Sequence, residues 1–314
     1  MSMHTEEHSL LAPRNLAAFL LVSFIWGGTW LVIRDQISSV PASWSIAYRF
    51  IVAAAGMFML ARWRGEPFRM VKGGWPFAIA LGIFQFSLNF AFVYRAEGYV
   101  TSGLVAVIFA LLVVPNAVLG RIVLKQPIRS EFVIGSGIAA LGVAMLFAQE
   151  YRASPATLGE VLTGALLCVG GILSASAANI LQATEGAKRQ PLLTLLAWSM
   201  LCGVAINAVF ALVTVGLPQF DPRPSYALGV LYLGVMGSVV TFPLYYGLVR
   251  KVGAGRAAYS SVVVPVVAMI LSTLFEGFVW GPLAIAGAVV TVAGMLVAMR
   301  TRSAPPPRRA TPEP

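Results

Sequence analysis

Charged residues are scarce in this sequence, and their scarcity decides which class of protein it encodes. Only 11% of the 314 residues are charged, whereas 58% are hydrophobic, and the mean hydropathy is +0.82. A soluble domain carries roughly 25% charged residues. The sequence therefore predicts an integral membrane protein, and an α-helical one because its apolar runs are long.

Acidic residues and histidines are absent from the interior of these apolar runs, where Arg49 is the only charged residue. Intramembrane hydrolysis needs paired acids or metal ligands, and ATP hydrolysis needs a Walker motif. We therefore predict that the protein is not an enzyme and uses no cofactor and no metal. Proton coupling through a buried carboxylate is disfavoured for the same reason, which leaves Glu97 and Glu276 near the outer face as the alternative.

Signals of secretion are also missing. Residues 1–15 lack a basic segment followed by a cleavage site, so we predict a polar cytoplasmic tail and no signal peptide. Cys168 and Cys202 lie within apolar runs, where cysteine packs as a small hydrophobe, and we expect no disulfide.

The proline- and arginine-rich residues 300–314 are predicted to form a disordered cytoplasmic tail.

What the sequence does contain is a series of apolar runs long enough to cross a bilayer. A hydrocarbon core of about 30 Å needs about 20 apolar residues per helix. We predict ten transmembrane helices, at residues 16–33, 43–61, 75–94, 102–120, 131–148, 161–182, 192–215, 226–249, 257–275 and 282–299.

The net charge of +10 is distributed unevenly between the two sets of loops. With the amino terminus placed inside, seventeen Lys and Arg residues lie on that side, and only Arg34, Arg95, Arg152 and Arg223 lie on the other. The positive-inside rule then places both termini in the cytoplasm. This distribution accounts for the basic charge without a nucleic-acid partner.

An internal repeat of about 150 residues organises the chain. The stretch 102–126 returns as 252–276, and each copy has a proline, Pro115 or Pro265, within an apolar run. Such a period indicates tandem structural units, so we divide the chain into two halves.

Five predicted helices in each half is an odd number, so the second half must enter the membrane from the opposite side. The predicted fold is an all-α polytopic membrane protein with two inverted five-helix repeats, residues 16–150 and 161–299, joined by an external linker at residues 151–160. Inverted repeats are a recurrent transporter architecture, with the substrate near the midplane.

Several motifs resemble the EamA repeat of the drug/metabolite transporter superfamily. They are the segment WGGTW at residues 26–30, Pro41 with Arg49, and the two proline-centred stretches. The stretch 232–277 is the closer match, whereas Lys125-Gln126 stands where the family usually has Gly-Glu. Among the branches, the chain is most similar to bacterial exporters of aromatic amino acids. This resemblance implies efflux of aromatic and other neutral amino acids across the bacterial cytoplasmic membrane.

Polar and aromatic side chains on four predicted helices form a candidate pathway. Gln85, Asn89 and Phe92 are spaced i, i+4 and i+7 and share one helix face, which in a membrane should point inward. The predicted substrate-binding residues are Trp26, Gln85, Asn89, Phe92, Ser176, Asn179, Thr241 and Tyr245. Alternatively, the amides join neighbouring helices, the hydroxyls bond their own backbone, and tryptophans such as Trp30 form an interfacial belt.

Arg49 and three intrahelical prolines are further candidates. Arg49 lies in the external third of its helix, where it either snorkels outward or pairs with a substrate carboxylate. Pro115, Pro243 and Pro265 each remove one backbone hydrogen bond, so we predict helix kinks there.

Glycines on the fifth and tenth predicted helices indicate close helix packing or a dimer surface. They are Gly135, Gly137, Gly142, Gly287 and Gly294. The sequence leaves open whether the protein is a monomer or a homodimer.

The expected partners are a small molecule, an amino acid or a similar metabolite, and the lipid bilayer. Three alternatives remain at this point: a drug or metabolite exporter coupled to protons through an outer-face glutamate, a channel, and a membrane scaffold.

The inverted topology can be tested by cysteine accessibility. Gly65→Cys and Lys188→Cys should react only with reagent admitted to the cytoplasm, and Ser154→Cys and Pro222→Cys only with reagent added outside. Labelling of Ser154→Cys and Lys188→Cys from the same side would contradict the inversion.

Overall fold

The computed structural model describes residues 13–128, 130–153, 157–257 and 260–299, and these residues form helices and no strand. Ten long helices are named here in chain order. They are α1 (Pro13–Ile37), α2 (Ala42–Trp63), α3 (Trp75–Ala96), α4 (Ser102–Val123), α5 (Ser130–Ala153), α6 (Leu158–Ala183), α7 (Leu192–Thr214), α8 (Pro224–Val252), α9 (Ser260–Phe275) and α10 (Pro282–Met299). The predicted carboxy-terminal tail, most of the amino-terminal tail and Ser154 lie outside the described residues.

The helices have the length and surface expected of a membrane protein. Eight of them, α1 to α8, contain stretches long and apolar enough to cross a bilayer. The apolar parts of α9 and α10 are shorter, at Val263–Phe275 and Pro282–Ala298. A helix therefore occupies each of the ten predicted positions. Large hydrophobic side chains cover the outside, as at Leu166 and Val213, and would contact lipid.

One kind of hydrogen bond between the halves recurs at positions about 150 residues apart. On α7, Trp198 Nε1 donates to the backbone oxygen of Phe68 at 2.9 Å. On α2, the Tyr48 hydroxyl donates to the backbone oxygen of Gln219 at 2.8 Å. The loop after α2 is thus hydrogen-bonded to α7, and the loop after α7 is hydrogen-bonded to α2.

The loops after α2 and α7 also bind the starts of these helices, each loop contacting the start of the other helix. Glu66, just after α2, accepts hydrogen bonds from the backbone nitrogens of Leu193 and Thr194 at 3.0 and 3.1 Å. A carboxylate at a helix N-terminus satisfies free N–H groups and complements the helix dipole. At the equivalent place on α2, Trp44 Nε1 donates to the Gly216 oxygen at 3.3 Å.

Two of the three intrahelical prolines are accompanied by a change of helix type. A 3₁₀ segment, Ala110–Leu112, precedes Pro115 in α4, and a π-helix, Val235–Val240, precedes Pro243 in α8. Pro265 lies within α9 without such a change. A proline cannot donate to the carbonyl one turn back, and local 3₁₀ or π geometry lets other groups reach it.

A second π-helix, which no sequence feature predicted, lies at Phe84–Asn89 in α3. It begins 151 residues before the π-helix of α8, Val235–Val240, so the two halves bulge at equivalent places. Phe92 occupies the position in α3 that Pro243 occupies in α8, so the sequence of α3 contains no proline that would indicate the π-helix. A π-bulge turns the helix face that follows it, and such bulges are frequent at functional sites.

Helices α5 and α10 pack against each other with their backbones in contact, so the glycines predicted to serve close packing or a dimer surface lie between two helices of the same chain. The glycines at this contact are Gly135, Gly142, Gly287 and Gly294. A Cβ atom added at Gly142 would lie 2.4 Å from the backbone nitrogen of Thr291. Gly137 is different, because an added Cβ there would meet nothing within 4 Å. The packing prediction is therefore confirmed for four glycines and does not hold for Gly137.

The contrast between two glycines on α5 makes the packing testable. Gly142→Ala should destabilise the protein by about 1–3 kcal/mol, because the backbone of α10 must move. Gly137→Ala should be as stable as the original or more so, since alanine favours a helix by about 1 kcal/mol over glycine. Thermal unfolding in detergent measures both, and equal midpoints for the two variants would contradict close packing.

Candidate functional site

A cavity between seven helices, α1 to α4, α6, α8 and α9, is the candidate site. The empty space between these helices, including the part open to solvent, is about 760 Å³, of which about 100 Å³ can be reached by the centre of a water molecule. Six of the residues singled out from the sequence line it, namely Trp26, Arg49, Gln85, Asn89, Asn179 and Tyr245.

The structure places the other three predicted residues away from the cavity wall. The ring of Phe92 packs over Gly170 of α6, where an added Cβ would lie 3.0 Å from it. Ser176 and Thr241 are fully buried among helices and do not line the cavity. These three residues belong to the packing around the site.

The two π-helices explain why Phe92 and Thr241 are displaced. The i, i+4, i+7 rule assumes 3.6 residues per turn, whereas a π-bulge adds a residue to one turn. After the bulge in α3, Phe90 and Val93 face the cavity in place of Phe92. After the bulge in α8, Phe242 and Tyr245 face it.

Arg49 reaches the cavity from α2 and is only 1% exposed, so it does not snorkel outward. Its Nε donates to Ser238 Oγ at 3.2 Å, and its Nη2 donates to the Gly237 oxygen at 3.2 Å. The guanidinium carbon lies 4.3 Å from the ring centre of Phe90, a cation–π contact. Nη1 has no hydrogen-bond partner among the described residues. The cavity wall therefore carries a buried guanidinium that interacts with the Tyr94 hydroxyl and whose Nη1 makes no hydrogen bond of good geometry with the described residues.

The amide side chains add oriented polar groups. Gln85 Oε1 accepts a hydrogen bond from the Tyr246 hydroxyl at 2.9 Å, so the amide nitrogen is what Gln85 can offer to a ligand. Asn89 Oδ1 is buried and, within the described part of the chain, without a partner. Asn179 Nδ2 donates to Asn116 Oδ1 at 3.4 Å. The cavity thus presents donors and a free acceptor.

Aromatic rings form the apolar part of the wall. The ring centre of Trp26 lies 4.9 Å from that of Tyr245 and 5.6 Å from that of Phe242. Trp30 packs against Phe109 at 5.1 Å and is only 8% exposed, so the interfacial belt proposed for Trp30 is wrong. Sequence analysis missed Trp30, Phe109 and Phe242 as cavity residues, because a pattern of apolar residues does not separate rings facing lipid from rings facing a cavity.

Equivalent carbonyls in the two π-helices are each bound by a side chain from the other half. The Gly237 oxygen in α8 accepts from Arg49 Nη2 and from Trp26 Nε1, the latter at 3.3 Å. The Phe86 oxygen in α3, 151 residues earlier, accepts from Asn207 Nδ2 at 2.9 Å. These side chains satisfy carbonyls exposed by the bulges and hold the bulges in place.

Comparison with known proteins places this geometry among transporters. The model of a family described as "EamA-like transporter family" matches residues 14–148 and again residues 162–300. Protein PagO of Salmonella typhimurium is 24% identical over 91% of this chain and 93% of that protein. Another Salmonella typhimurium protein, named "Probable amino-acid metabolite efflux pump", is 23% identical over 88% of this chain and 92% of its own.

The fold is shared with solved structures, among them a crystal structure of another protein. That structure superposes with a TM-score of 0.69 at 17% identity, over 90% of this chain and 95% of that chain.

The carbonyl contact of the α3 bulge can be tested away from the cavity. Asn207→Leu should leave the Phe86 oxygen unpaired, lower stability by about 1–3 kcal/mol and reduce transport by shifting Gln85. Ser199→Ala on the same helix is the control, because Ser199 Oγ bonds only its own helix, at the Leu195 oxygen. Thermal midpoints and flux measure both variants, and indistinguishable results would contradict a role for Asn207.

Proposed function

Because the chain belongs to the EamA-like transporter family, we propose that it exports aromatic and other neutral amino acids across the bacterial cytoplasmic membrane. Membership of this family makes the chain a multi-pass membrane transporter and not an enzyme. The choice of amino acids as substrates is supported by the name of one relative and by the groups that line the cavity.

The free Nη1 of Arg49 is the observation that carries this proposal. A buried cation needs an opposite charge, and the described residues form no salt bridge with Arg49. Leaving a charge unpaired in a low-dielectric interior costs several kcal/mol or more. The carboxylate of an amino acid would supply the missing partner, with the Gln85 amide nitrogen as a second donor.

The ammonium group of the substrate, which is bonded to the same carbon as the carboxylate, would find an acceptor in the same cavity. Asn89 Oδ1 would accept a hydrogen bond from the ammonium group, and Asn179 lies further along the wall. The side chain of the substrate would then lie against Trp26, Phe242 and Tyr245. Aromatic pairs gain about 0.5–1.5 kcal/mol beyond area burial, which favours aromatic substrates over small ones.

Alternating access follows from ten membrane-spanning helices in two inverted halves, with both termini in the cytoplasm. Three observations support this architecture: the paired contacts about 150 residues apart, the double match to the family model, and the basic loops on one side. Rocking of one half against the other would expose the cavity to each side in turn.

Transport is facilitated in this proposal. The residues that line the cavity include no Asp, Glu or His, so the described wall offers no group to exchange protons with the substrate. Export then runs down the gradient of the amino acid. An exporter of another metabolite and a channel are the alternatives, and the flux experiment separates them.

Flux in proteoliposomes tests the proposal. Tryptophan and threonine should both be transported with saturation, whereas a channel would show none. Asn89→Ala should raise the half-saturation concentration about tenfold for both substrates, because a hydrogen bond to a charged group contributes about 1.5–3 kcal/mol. Trp26→Ala should raise the half-saturation concentration more for tryptophan than for threonine, because this variant loses an aromatic contact with the substrate side chain and keeps the groups that bind the ammonium and carboxylate.

Thr241→Val is the matched control. Thr241 is fully buried, does not line the cavity, and its hydroxyl has no partner among the described residues. It should therefore transport as the original does. Unchanged half-saturation concentrations in Asn89→Ala and Trp26→Ala would place the substrate elsewhere.

A further inference from the structure

Glu97, directly after α3, is a carboxyl group that the transport mechanism leaves unused. It is 0% exposed, and neither of its carboxyl oxygens has a hydrogen-bond partner among the described residues. An ionised carboxylate buried without a partner costs several kcal/mol, so a group in this position takes up a proton instead. Burial without a partner therefore favours the neutral form of Glu97 in this conformation.

The charges around Glu97 come from two other helices and from the residue that follows a third. Glu276, which follows α9, accepts hydrogen bonds from the backbone nitrogen and Oγ of Ser102, the first residue of α4, at 3.4 and 2.5 Å. Burial, and then the charge of Glu276, raise the pKa of Glu97 well above its ordinary value. Arg34 of α1 and Arg49 of α2 oppose this shift but do not pair with Glu97.

The other titratable groups facing Glu97 are a hydroxyl and a thiol. Tyr94 lies one turn earlier on α3, and Cys168 faces Glu97 from α6. The Tyr94 hydroxyl donates to Gln36 Oε1 at 3.2 Å. Neither group supplies a positive charge, so the surroundings of Glu97 still disfavour its ionised form.

We propose that Glu97 is a proton-binding site that latches this end of the molecule closed, so that loss of its proton opens the cavity to the outside. The assignment of this end to the outside rests on the proposed function and its topology. Ionised Glu97 would sit beside ionised Glu276 at the junction of α3, α4 and α9. Repulsion and the hydration of the two carboxylates would then separate the helix ends.

The direction of the pH effect follows from the two states. In the open state Glu97 is hydrated and has an ordinary carboxyl pKa, whereas burial in the closed state raises that pKa. The protonated group therefore stabilises the closed state fully at a pH below the ordinary carboxyl pKa. That stabilisation is lost as the pH rises through the raised pKa of the closed state. External acid closes the latch, and external base opens it.

The proton bound at Glu97 is not carried across the membrane. Glu97 is absent from the cavity lining, so it exchanges its proton with the side on which it opens. External pH then sets the rate of export without driving accumulation of the substrate.

Ser272 on α9 provides a reporter of the latch. It is 0% exposed and packs against Gly103 of α4, where an added Cβ would lie 2.9 Å from Ser272 Cβ. Ser272→Cys is a small change and would react with a thiol reagent only after α4 and α9 separate. The native thiols are first removed by Cys168→Ala and Cys202→Ala.

The labelling rate of Ser272→Cys is divided by that of the exposed Pro222→Cys, which corrects for ionisation of the thiol itself. We expect this ratio to rise with pH, by up to about tenfold per pH unit, since one proton controls opening. Glu97→Gln mimics the protonated group and should keep the ratio low at every pH. Glu97→Asp should restore a pH response.

Flux in proteoliposomes completes the test. Export should quicken as external pH rises from 6 to 8, and Glu97→Gln should remain slow. A ratio and a flux with the same pH dependence in Glu97→Gln as in the original would overturn the latch while leaving the proposed function intact. Substrate accumulation driven by a pH gradient and abolished by Glu97→Gln would also overturn it, in favour of antiport. Absence of transport at every pH would instead overturn the proposed function. The pH dependence of Ser272→Cys labelling would still show whether Glu97 controls the separation of α4 and α9.

Discussion

Every backbone carbonyl inside a membrane must find a donor, and this constraint connects the fold to the site. The π-helices of α3 and α8 expose carbonyls at Phe86 and Gly237, and side chains from the opposite half bind both. Each bulge is therefore stable only when the two halves are assembled. The bulges in turn orient Gln85 and Asn89 toward the cavity. The cavity is a product of how the halves meet, and neither half contains it alone.

Arg49 serves the backbone and the cavity at once. Two of its nitrogens hold Ser238 and Gly237, and Phe90 covers its face. These contacts fix the guanidinium so that one nitrogen remains for a ligand. A lysine could not do this, because an ammonium group lacks the planar fork that binds in several directions at once. An anionic ligand group that binds there would relieve a buried charge in addition to forming a hydrogen bond.

The sequence predicted the helices and the close packing at the glycines of α5 and α10, because both depend on composition along one helix, but it did not predict that these two helices are partners. It also predicted Gln85, Asn89 and Asn179, since amides are rare inside apolar runs and tend to face inward. It failed at Phe92 because the extra residue of a π-turn is invisible without a proline to mark it. Trp30 and Phe242 were missed for another reason. Whether a ring faces lipid or a cavity depends on which helices are neighbours, and periodicity carries no such information.

The two ends of the molecule close by different chemistry, although the halves repeat. At one end Glu276 binds Ser102 beside the buried Glu97. At the equivalent place of the other end, Gln126, which follows α4, lies against Gly120 of that helix, and Val252 replaces Ser102. That end is held by Arg250, which donates to Gln182 Oε1 at 3.0 Å and to the Gln190 oxygen at 3.1 Å. Arginine stays charged at any physiological pH, so the contacts of Arg250 do not depend on a proton in the way that the proposed latch at Glu97 does. If the proposed latch exists, two repeated halves would close their two ends by different interactions, and export would be regulated from one side of the membrane.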